Sequence, residues 1–391
     1  MTNKTGSLRV LVAGAGIGGL TLAVALRRAG ASVRVFERAP RVEPVGAGIV
    51  VQPNAMLALR SIDPALEQAV AAAGQPCVRG AIKADSGAVL SSTDLGAIAR
   101  LAGAPMIGIH RHRLHETLLE ALGEGHVSLG AAARGCREEG GEVILELEGG
   151  DEARGDVLVG ADGLRSAVRA HVLGPDEVRY SGYTSWRGVC AGADLVPPGH
   201  QSETWGRGQR FGIVGIGHGE VYWFATANAP PGGEDPPGAR VASLIERFGG
   251  WHEPIRALLE RTEESRAIRS DIGDRAPVRG WTRGRVGLLG DAAHPTTPNL
   301  GQGGCMAIED AAVLGRLLPA SGAAGVAGAL KRYEERRVAR ANEVVARSWN
   351  LGRVAQLENP LGRAVRNAAV RWTPESVMRS QMLEFFRFSA D

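Results

Sequence analysis

The sequence predicts an α/β protein in which a dinucleotide-binding domain is interrupted by a mainly antiparallel β-sheet and closed by C-terminal helices. Three features of the 391-residue chain predict this. A β-branched run leads directly into Gly14-Ala-Gly16-Ile-Gly-Gly19. Residues 178–228 are rich in Tyr, Trp, Thr and Gly and carry several turn signals. A buried-strand pattern then returns at Arg285–Leu289, and the chain beyond Gly304 is mostly helical in composition.

Leu8–Ala13 is a short apolar run suited to a buried parallel strand. Gly18–Ala29 has helical composition and stops at Gly30. Ser32–Phe36 is a second strand with Glu37 at its C-terminal end, which completes a βαβ unit of about thirty residues. Further on, Tyr180–Cys190, Arg210–Val214 and Val221–Ala227 read as antiparallel strands. Ala229–Gly238, with four prolines, is a loop leading to a helix over Ala239–Phe248. A strand ending at Gly290-Asp291 is followed by a Pro- and Gly-rich loop and a helix over Cys305–Leu318. Near the end, Thr373-Pro374 is expected to cap a helix with Met378, Met382, Phe385 and Phe386 on one face. That stripe should dock onto the body or onto a second subunit. The expected division is 1–75, 106–175 and 277–345 for the nucleotide-binding domain, 76–105 and 176–276 for a substrate domain, and 346–391 for C-terminal helices.

Bulk composition excludes several classes of function. With 44% hydrophobic and 22% charged residues, the chain is an ordinary soluble globular protein, and its net charge of +3 gives no reason to invoke nucleic acid. Cys77, Cys136, Cys190 and Cys305 are scattered without metal-ligand spacing, which points to no metal, no disulfide framework and a reducing cytoplasm. The uncharged run Val10–Leu26 is interrupted by glycines and is shorter than the ~18 residues of a spanning helix, so no stable membrane insertion is expected. The basic stretch Lys331–Arg353 reads as a solvated helix face, with Glu343 and Arg347 at favourable spacing.

Three motifs carry chemistry. In the first, Gly14 permits a tight turn, Gly16 lets backbone approach a pyrophosphate, and Gly19 allows close helix–strand packing. Glu37, 18 residues beyond Gly19, can accept hydrogen bonds from a ribose diol. This motif alone leaves FAD and NAD(P) equally open, and an NAD-dependent dehydrogenase fits it too. The second motif is Asp162-Gly163-Leu-Arg165-Ser166 after a buried strand, with Arg169 close behind. A glycine turn with Ser166 as a helix cap explains it as readily as a ligand contact does. The third is Gly290-Asp291-Ala-Ala-His294-Pro through Gly301-Gln-Gly303-Gly304. Asp291 can accept from a sugar or ribitol hydroxyl, and the Gly301–Gly304 amides face outward at a helix N-terminus, where negative charge is stabilised. His294 reads as a loop organiser and His218 as a hairpin tip, while Trp186 and Arg187 either border a pocket or hold ordinary strand positions.

Together the motifs resemble the class A flavoprotein monooxygenases, the para-hydroxybenzoate hydroxylase-like family, over residues 8–345. The resemblance implies a Rossmann-like FAD-binding domain and places Glu37 on the adenosine ribose and Arg38 on the adenine side. It also places Arg111 near the pyrophosphate, Asp162 in the Asp-Gly motif, Asp291 on the ribitol, and Gly301, Gly303 and Gly304 at the flavin. It further implies NAD(P)H as co-substrate and O2 activated as a flavin C4a-hydroperoxide. One oxygen atom then enters an aromatic, heteroaromatic or polycyclic small molecule, the enzyme acting as a monomer or homodimer. Within the family, Arg210 and Tyr222, twelve positions apart, resemble the substrate-facing pair of the bacterial urate hydroxylases. Arg210 would anchor an anionic or carbonyl group and Tyr222 would orient or deprotonate a ring hydroxyl. The urate enzymes carry an acid where this chain has Asn299, which resembles the zeaxanthin epoxidase branch. The alternative reading is therefore an epoxidase or oxidative rearrangement enzyme on an alkene-rich or polyketide-like substrate.

Overall fold

A computed structural model describes residues 7–41 and 47–389. Its central sheet runs in the order Thr282–Arg283, Val286–Leu288, Val157–Gly160, Arg9–Ala13, Ser32–Glu37 and Val127–Leu129. All neighbours are parallel except the terminal 282–288 hairpin. Val157–Gly160 is buried throughout, as a parallel strand covered on both faces must be. The first helix, Ile17–Arg28, packs on Gly303–Ser321 so closely that a Cβ on Gly315 would lie 2.5 Å from the Ala25 methyl. A separate antiparallel sheet of Ala133–Glu139, Glu142–Leu147 and Glu152–Gly155 covers one side of this core.

The second large sheet has seven strands in the order Ile268–Asp274, Arg179–Ala191, Glu220–Asn228, Gln209–Gly215, His200–Trp205, Arg79–Ala84 and Val89–Asp94. Only its pairing of His200–Trp205 with Arg79–Ala84 is parallel. Period-two alternation gives each face its own core. Val221, Trp223 and Ala225 pack with Phe211 and Phe248 under the helices Arg240–Phe248 and Ile255–Glu260. Tyr222 and Val214, on the opposite face, pack with Met106, Val189, Leu95 and Phe386, towards the nucleotide-binding body. Both faces are thus buried, and the strand patterns at 180–190, 210–214 and 221–227 extend by about one residue at each end.

Two expectations about the C-terminus change. One uninterrupted helix, Val326–Ala355, runs through residue 345, because nothing in that stretch breaks it. Thr373 does not cap the last helix: its hydroxyl donates back to the Ala369 carbonyl at 2.8 Å and closes Pro360–Trp372, and Glu375–Phe385 begins without a side-chain cap. The Met/Phe stripe of that last helix does dock onto the body of the same chain, with Phe386 buried and the Thr93 hydroxyl 3.0 Å from the Met378 sulfur.

Candidate functional site

The glycine fingerprint separates into packing and access. Gly14 has φ +100°, and a Cβ there would stand 2.4 Å from the Ala161 carbonyl oxygen. A Cβ on Gly19 would stand 2.0 Å from the Gly14 oxygen. On Gly16 it would meet nothing within 4 Å, so this backbone is open to a ligand approaching the helix N-terminus. Glu37 accepts from the Ala15 amide at 2.8 Å and the Ala39 amide at 2.9 Å, which fixes its carboxylate beside the same turn. Arg38 is exposed at the end of that strand. His115, which lies outside all three motifs, has Nε2 2.7 Å from the Ala15 carbonyl oxygen and therefore donates to it. Its signal is present in Arg111-His-Arg-Leu-His115, one helical turn beyond Arg111.

Arg111 is exposed at the start of the helix Arg111–Leu122, and its charge acts on both Asp291 and Tyr222. Asp291 has an accessible surface but lies deep among protein groups. That surrounding raises its pKa, against the opposing charges of His294 and Arg111. Around it, a Cβ on Gly303 would come within 3.9 Å of the Asp291 carboxylate, and one on Gly304 within 2.9 Å of Ile49. Gly301 adopts φ +63°. The amides of Gly303 and Gly304 take no backbone acceptor among the described residues and lie in the first turn of Gly303–Ser321.

Around Asp162 the structure shows the glycine turn and the Ser166 cap, one of the two readings of this motif. The Asp162 carboxylate accepts from the Ser166 hydroxyl and from the Ala167 and Val168 amides at 2.8 and 3.3 Å, so it is committed to the start of the helix Ala167–Leu173. Burial raises its pKa, and those hydrogen bonds oppose the shift. Ser166 caps the Arg169 amide, and Gly163 makes the turn at φ +81°. Buried Arg169 then donates to the Ala292 and Ala293 carbonyls, both at 2.8 Å, and so holds the Gly-Asp turn.

Beneath that turn lies a buried ionic network. The Gly290 amide and His294 both bond to Asp310 Oδ2, at 3.1 and 2.5 Å, and Arg337 reaches Asp310 Oδ1 at 2.7 Å and Glu309 at 2.5 Å. Burial pushes Asp310 up, but the charges of His294 and Arg337 prevail and hold it well below the carboxylate range. His294 is thus a loop organiser. Arg337, in the stretch that composition assigns to a solvated face, is buried, whereas the Glu343–Arg347 pair forms at 2.5 Å as its spacing suggests.

Between the two sheets lies a cleft of about 370 Å3. Its floor is Asn299–Gln302, its sheet wall includes Gln201, Glu203, Val214 and Phe224, and its roof is Met378, Met382, Phe385 and Phe386. Arg210 does not face it. The guanidinium is 2% exposed and bonds to Glu203 at 3.0 Å, Asn299 at 2.6 Å and Gln356 at 3.1 Å, so it stands behind two wall residues. Tyr222 also lies outside the cavity lining: its ring packs on Gly48, where a Cβ would fall 2.4 Å from Cγ. Burial raises its pKa, with Arg187 and Arg111 opposing. Trp186 bonds to Asp235 in the far core, and His218 sits at a hairpin tip with φ 55°.

The open backbone at Gly16, the carboxylates of Glu37 and Asp291, and the outward amides of Gly303 and Gly304 fit an extended dinucleotide carrying a polyol. Comparison with known proteins agrees. The family described as FAD binding domain matches residues 7–348. The chain is 53% identical to the aurachin C monooxygenase/isomerase of Stigmatella aurantiaca over 94% of both chains. It is 39% identical to the chloroplastic zeaxanthin epoxidase of Nicotiana plumbaginifolia over 84% of its own length and 52% of that protein. The crystal structure of Klebsiella pneumoniae HpxO complexed with FAD and uric acid superposes with a TM-score of 0.91 at 30% identity, covering 98% of this chain and 97% of that one. With the family matched over residues 7–348, a monooxygenase relative over 94% of the chain and the fold over 98% of it, the chain belongs to the class A FAD-dependent monooxygenases.

Proposed function

We propose that this monooxygenase inserts one oxygen atom from O2 into a ring carbon of an apolar aromatic or heteroaromatic small molecule, with NAD(P)H as electron donor. The observation that carries this reading is the cleft itself. About 370 Å3 is a small-molecule volume, and the walls are mainly Ile, Leu, Val, Met and Phe, the polar groups among them being uncharged except for Glu203. FAD, when bound, supplies electron transfer and oxygen activation. The chain's residues bind and orient. Gly16, Glu37 and Arg111 serve the ADP half, with Arg38 exposed beside it. Asp291, Gly301, Gly303 and Gly304 serve the ribitol and ring, and Asp162 acts through Arg169 by holding the turn. The apolar roof keeps water from the reacting centre, which favours oxygen transfer over peroxide loss. Arg210 acts as a positioning residue behind Glu203 and Asn299, and Tyr222 as a packing residue between the sheets. The four free thiols, three of them buried, support a reducing, cytoplasmic setting.

A second reading, epoxidation or oxidative rearrangement of an alkene-rich or polyketide-like molecule, is favoured by one observation: two of the relatives are a monooxygenase/isomerase and an epoxidase. A panel of phenols, purines, quinolones and polyenes separates them, scored by NAD(P)H consumption together with product mass and structure. Ring hydroxylation supports the first reading, and an epoxide or rearranged skeleton supports the second. Peroxide release with no oxygenated product from any member would overturn both.

A further inference from the structure

One ionisable side chain lines the cleft among the described residues: Glu203. Its Oε1 accepts from Trp205 Nε1 at 2.8 Å and from Arg210 Nη1 at 3.0 Å. No described residue donates to Oε2. The carboxylate is rigidly held, because Arg210 is itself locked by Gln356 and by Asn299, and Asn299 also accepts from the Tyr183 hydroxyl at 3.1 Å. Opposite Glu203 in the sheet is Gly212, and a Cβ there would strike the Phe224 ring at 2.0 Å. That glycine lets an aromatic face lie in the cleft close to the carboxylate. Most of the other polar groups are already engaged, the exceptions being the uncharged Ser202 and Gln201, whose amide reaches only the Met106 sulfur at 3.7 Å. Gln302 donates to Gln52 at 2.6 Å, Gln52 donates to the Leu300 carbonyl at 3.0 Å, and the Asn299 amide donates to Thr297 and to the Ser348 carbonyl at 2.9 Å.

We infer that Glu203 is the polar anchor of the substrate, its free oxygen accepting a hydrogen bond from the ring N–H or O–H of an uncharged, otherwise apolar heteroaromatic ligand. The inference rests on the proposed small-molecule reading of the cleft. A carboxylate only accepts, and hydrogen bonds to it are short and strong in apolar surroundings. The proton stays on the ligand and no bond breaks. The polarised N–H or O–H pushes electron density into the ring, which makes a ring carbon more reactive towards an electrophilic oxygen. The same charge disfavours a carboxylate-bearing ligand, since Arg210 is turned towards Glu203 and Asn299 and offers it no counter-ion.

The test uses the FAD-loaded enzyme without NAD(P)H and follows the flavin absorption spectrum during titration with three probes. These are 2-quinolone, which has a ring N–H, N-methyl-2-quinolone, which lacks it, and quinoline-2-carboxylate. The unsubstituted enzyme should bind 2-quinolone tightest and the carboxylate weakest. Glu203→Gln can keep its carbonyl on Arg210 and Trp205 while presenting an amide donor at the Oε2 position. It should weaken 2-quinolone about 10- to 100-fold, the worth of one hydrogen bond to a charged group. N-methyl-2-quinolone should be unchanged and the carboxylate should improve. Glu203→Asp, which withdraws the oxygen but keeps the charge, should weaken 2-quinolone while still excluding the carboxylate. Equal losses for 2-quinolone and its N-methyl form, or no loss for either, would overturn the assignment of Glu203. If no probe perturbs the flavin of the unsubstituted enzyme, the reading of the cleft falls and the anchor with it.

Discussion

Gly16→Ala and Gly19→Ala each add one methyl group to the same turn, and they should fail in opposite ways. At Gly16 the backbone is extended, with φ −70° and ψ −179°, and the new methyl meets nothing within 4 Å. The FAD-free protein should therefore be as stable as the parent, or more stable by ~0.4–1 kcal/mol, because alanine restricts the unfolded chain. The methyl would instead occupy the approach to the helix N-terminus. Losing one hydrogen bond to a charged phosphate oxygen there costs ~1.5–3 kcal/mol, or about 10- to 150-fold in FAD affinity. At Gly19 the methyl would stand 2.0 Å from the Gly14 carbonyl oxygen and 3.3 Å from the Ala161 methyl. Strand and helix must separate, at ~1–3 kcal/mol typical of overpacking. Urea unfolding of the FAD-free proteins and quenching of FAD fluorescence on rebinding measure the two effects independently. A Gly16→Ala protein that unfolds at lower urea yet binds FAD normally would refute this division of labour between the two glycines.

The buried groups and the cleft roof give three further expected outcomes. Asp310→Asn leaves buried His294 without its ionic partner and Arg337 with Glu309 alone, and should cost ~3–5 kcal/mol at neutral pH. Because the folded-state pKa of Asp310 is depressed, its contribution is present above the ordinary value of 3.8 and is lost as pH falls below it. The parent's urea midpoint should therefore drop more steeply than the variant's on acidification below about pH 4, and parallel acid limbs would contradict the assignment. Asp291 has a raised pKa, so its ionised form opposes folding and that penalty is relieved as pH falls through the folded value. Asp291→Asn should leave the FAD-free protein equally or more stable while weakening FAD, and a loss of stability in the FAD-free protein would count against this. Met382→Trp should fill the roof of the cleft and abolish binding of bicyclic apolar probes, as read from the flavin spectrum. Full FAD content should be retained, and undiminished probe binding would place the ligand elsewhere.

Backbone chemistry is the part of this protein that its sequence discloses. Gly14, Gly16 and Gly19, the Gly290-Asp291 turn and the Gly301–Gly304 amides act through where the main chain goes, and glycine spacing encodes that locally. Side-chain partners across long separations are not legible in the same way. Arg210 occupies a strand whose Ile213 and Val214 line the cleft, but what it touches depends on Gln356, 146 residues away. Glu309 and Asp310 look like ordinary helix acids, and Arg337 lies in a basic run that composition assigns to solvent. Only the packing of Val326–Ala355 on Gly303–Ser321 brings them together in the interior. The hairpin Arg79–Ala84 and Val89–Asp94 leaves no clear strand signal because polar and small residues interrupt its few β-branched ones and most positions are only partly buried, and its strandedness comes from the edge it extends.

The Asp-Gly motif shows how an acid can brace a turn more than a hundred residues away in the chain. Ala161 and Asp162 form the surface against which Gly14 turns, so a side chain on Gly14 would collide with both. The Asp162 carboxylate gathers Ser166 and the first amides of the next helix, which fixes where that helix begins. The helix start fixes Arg169, and Arg169 bonds the two carbonyls immediately after Asp291. On the other side of the same turn, Asp310 holds the Gly290 amide. Asp291 is therefore positioned from both flanks by residues bonded to the protein's own main chain. One flank is tied to the very segment that Gly14 packs against. A site assembled this way keeps the distance between the Gly14 turn and the Gly290-Asp291 turn constant, since both are referred to residues 161–169. Three motifs separated by more than a hundred residues thus act as one mechanical unit, and the acid of the middle one serves as its brace.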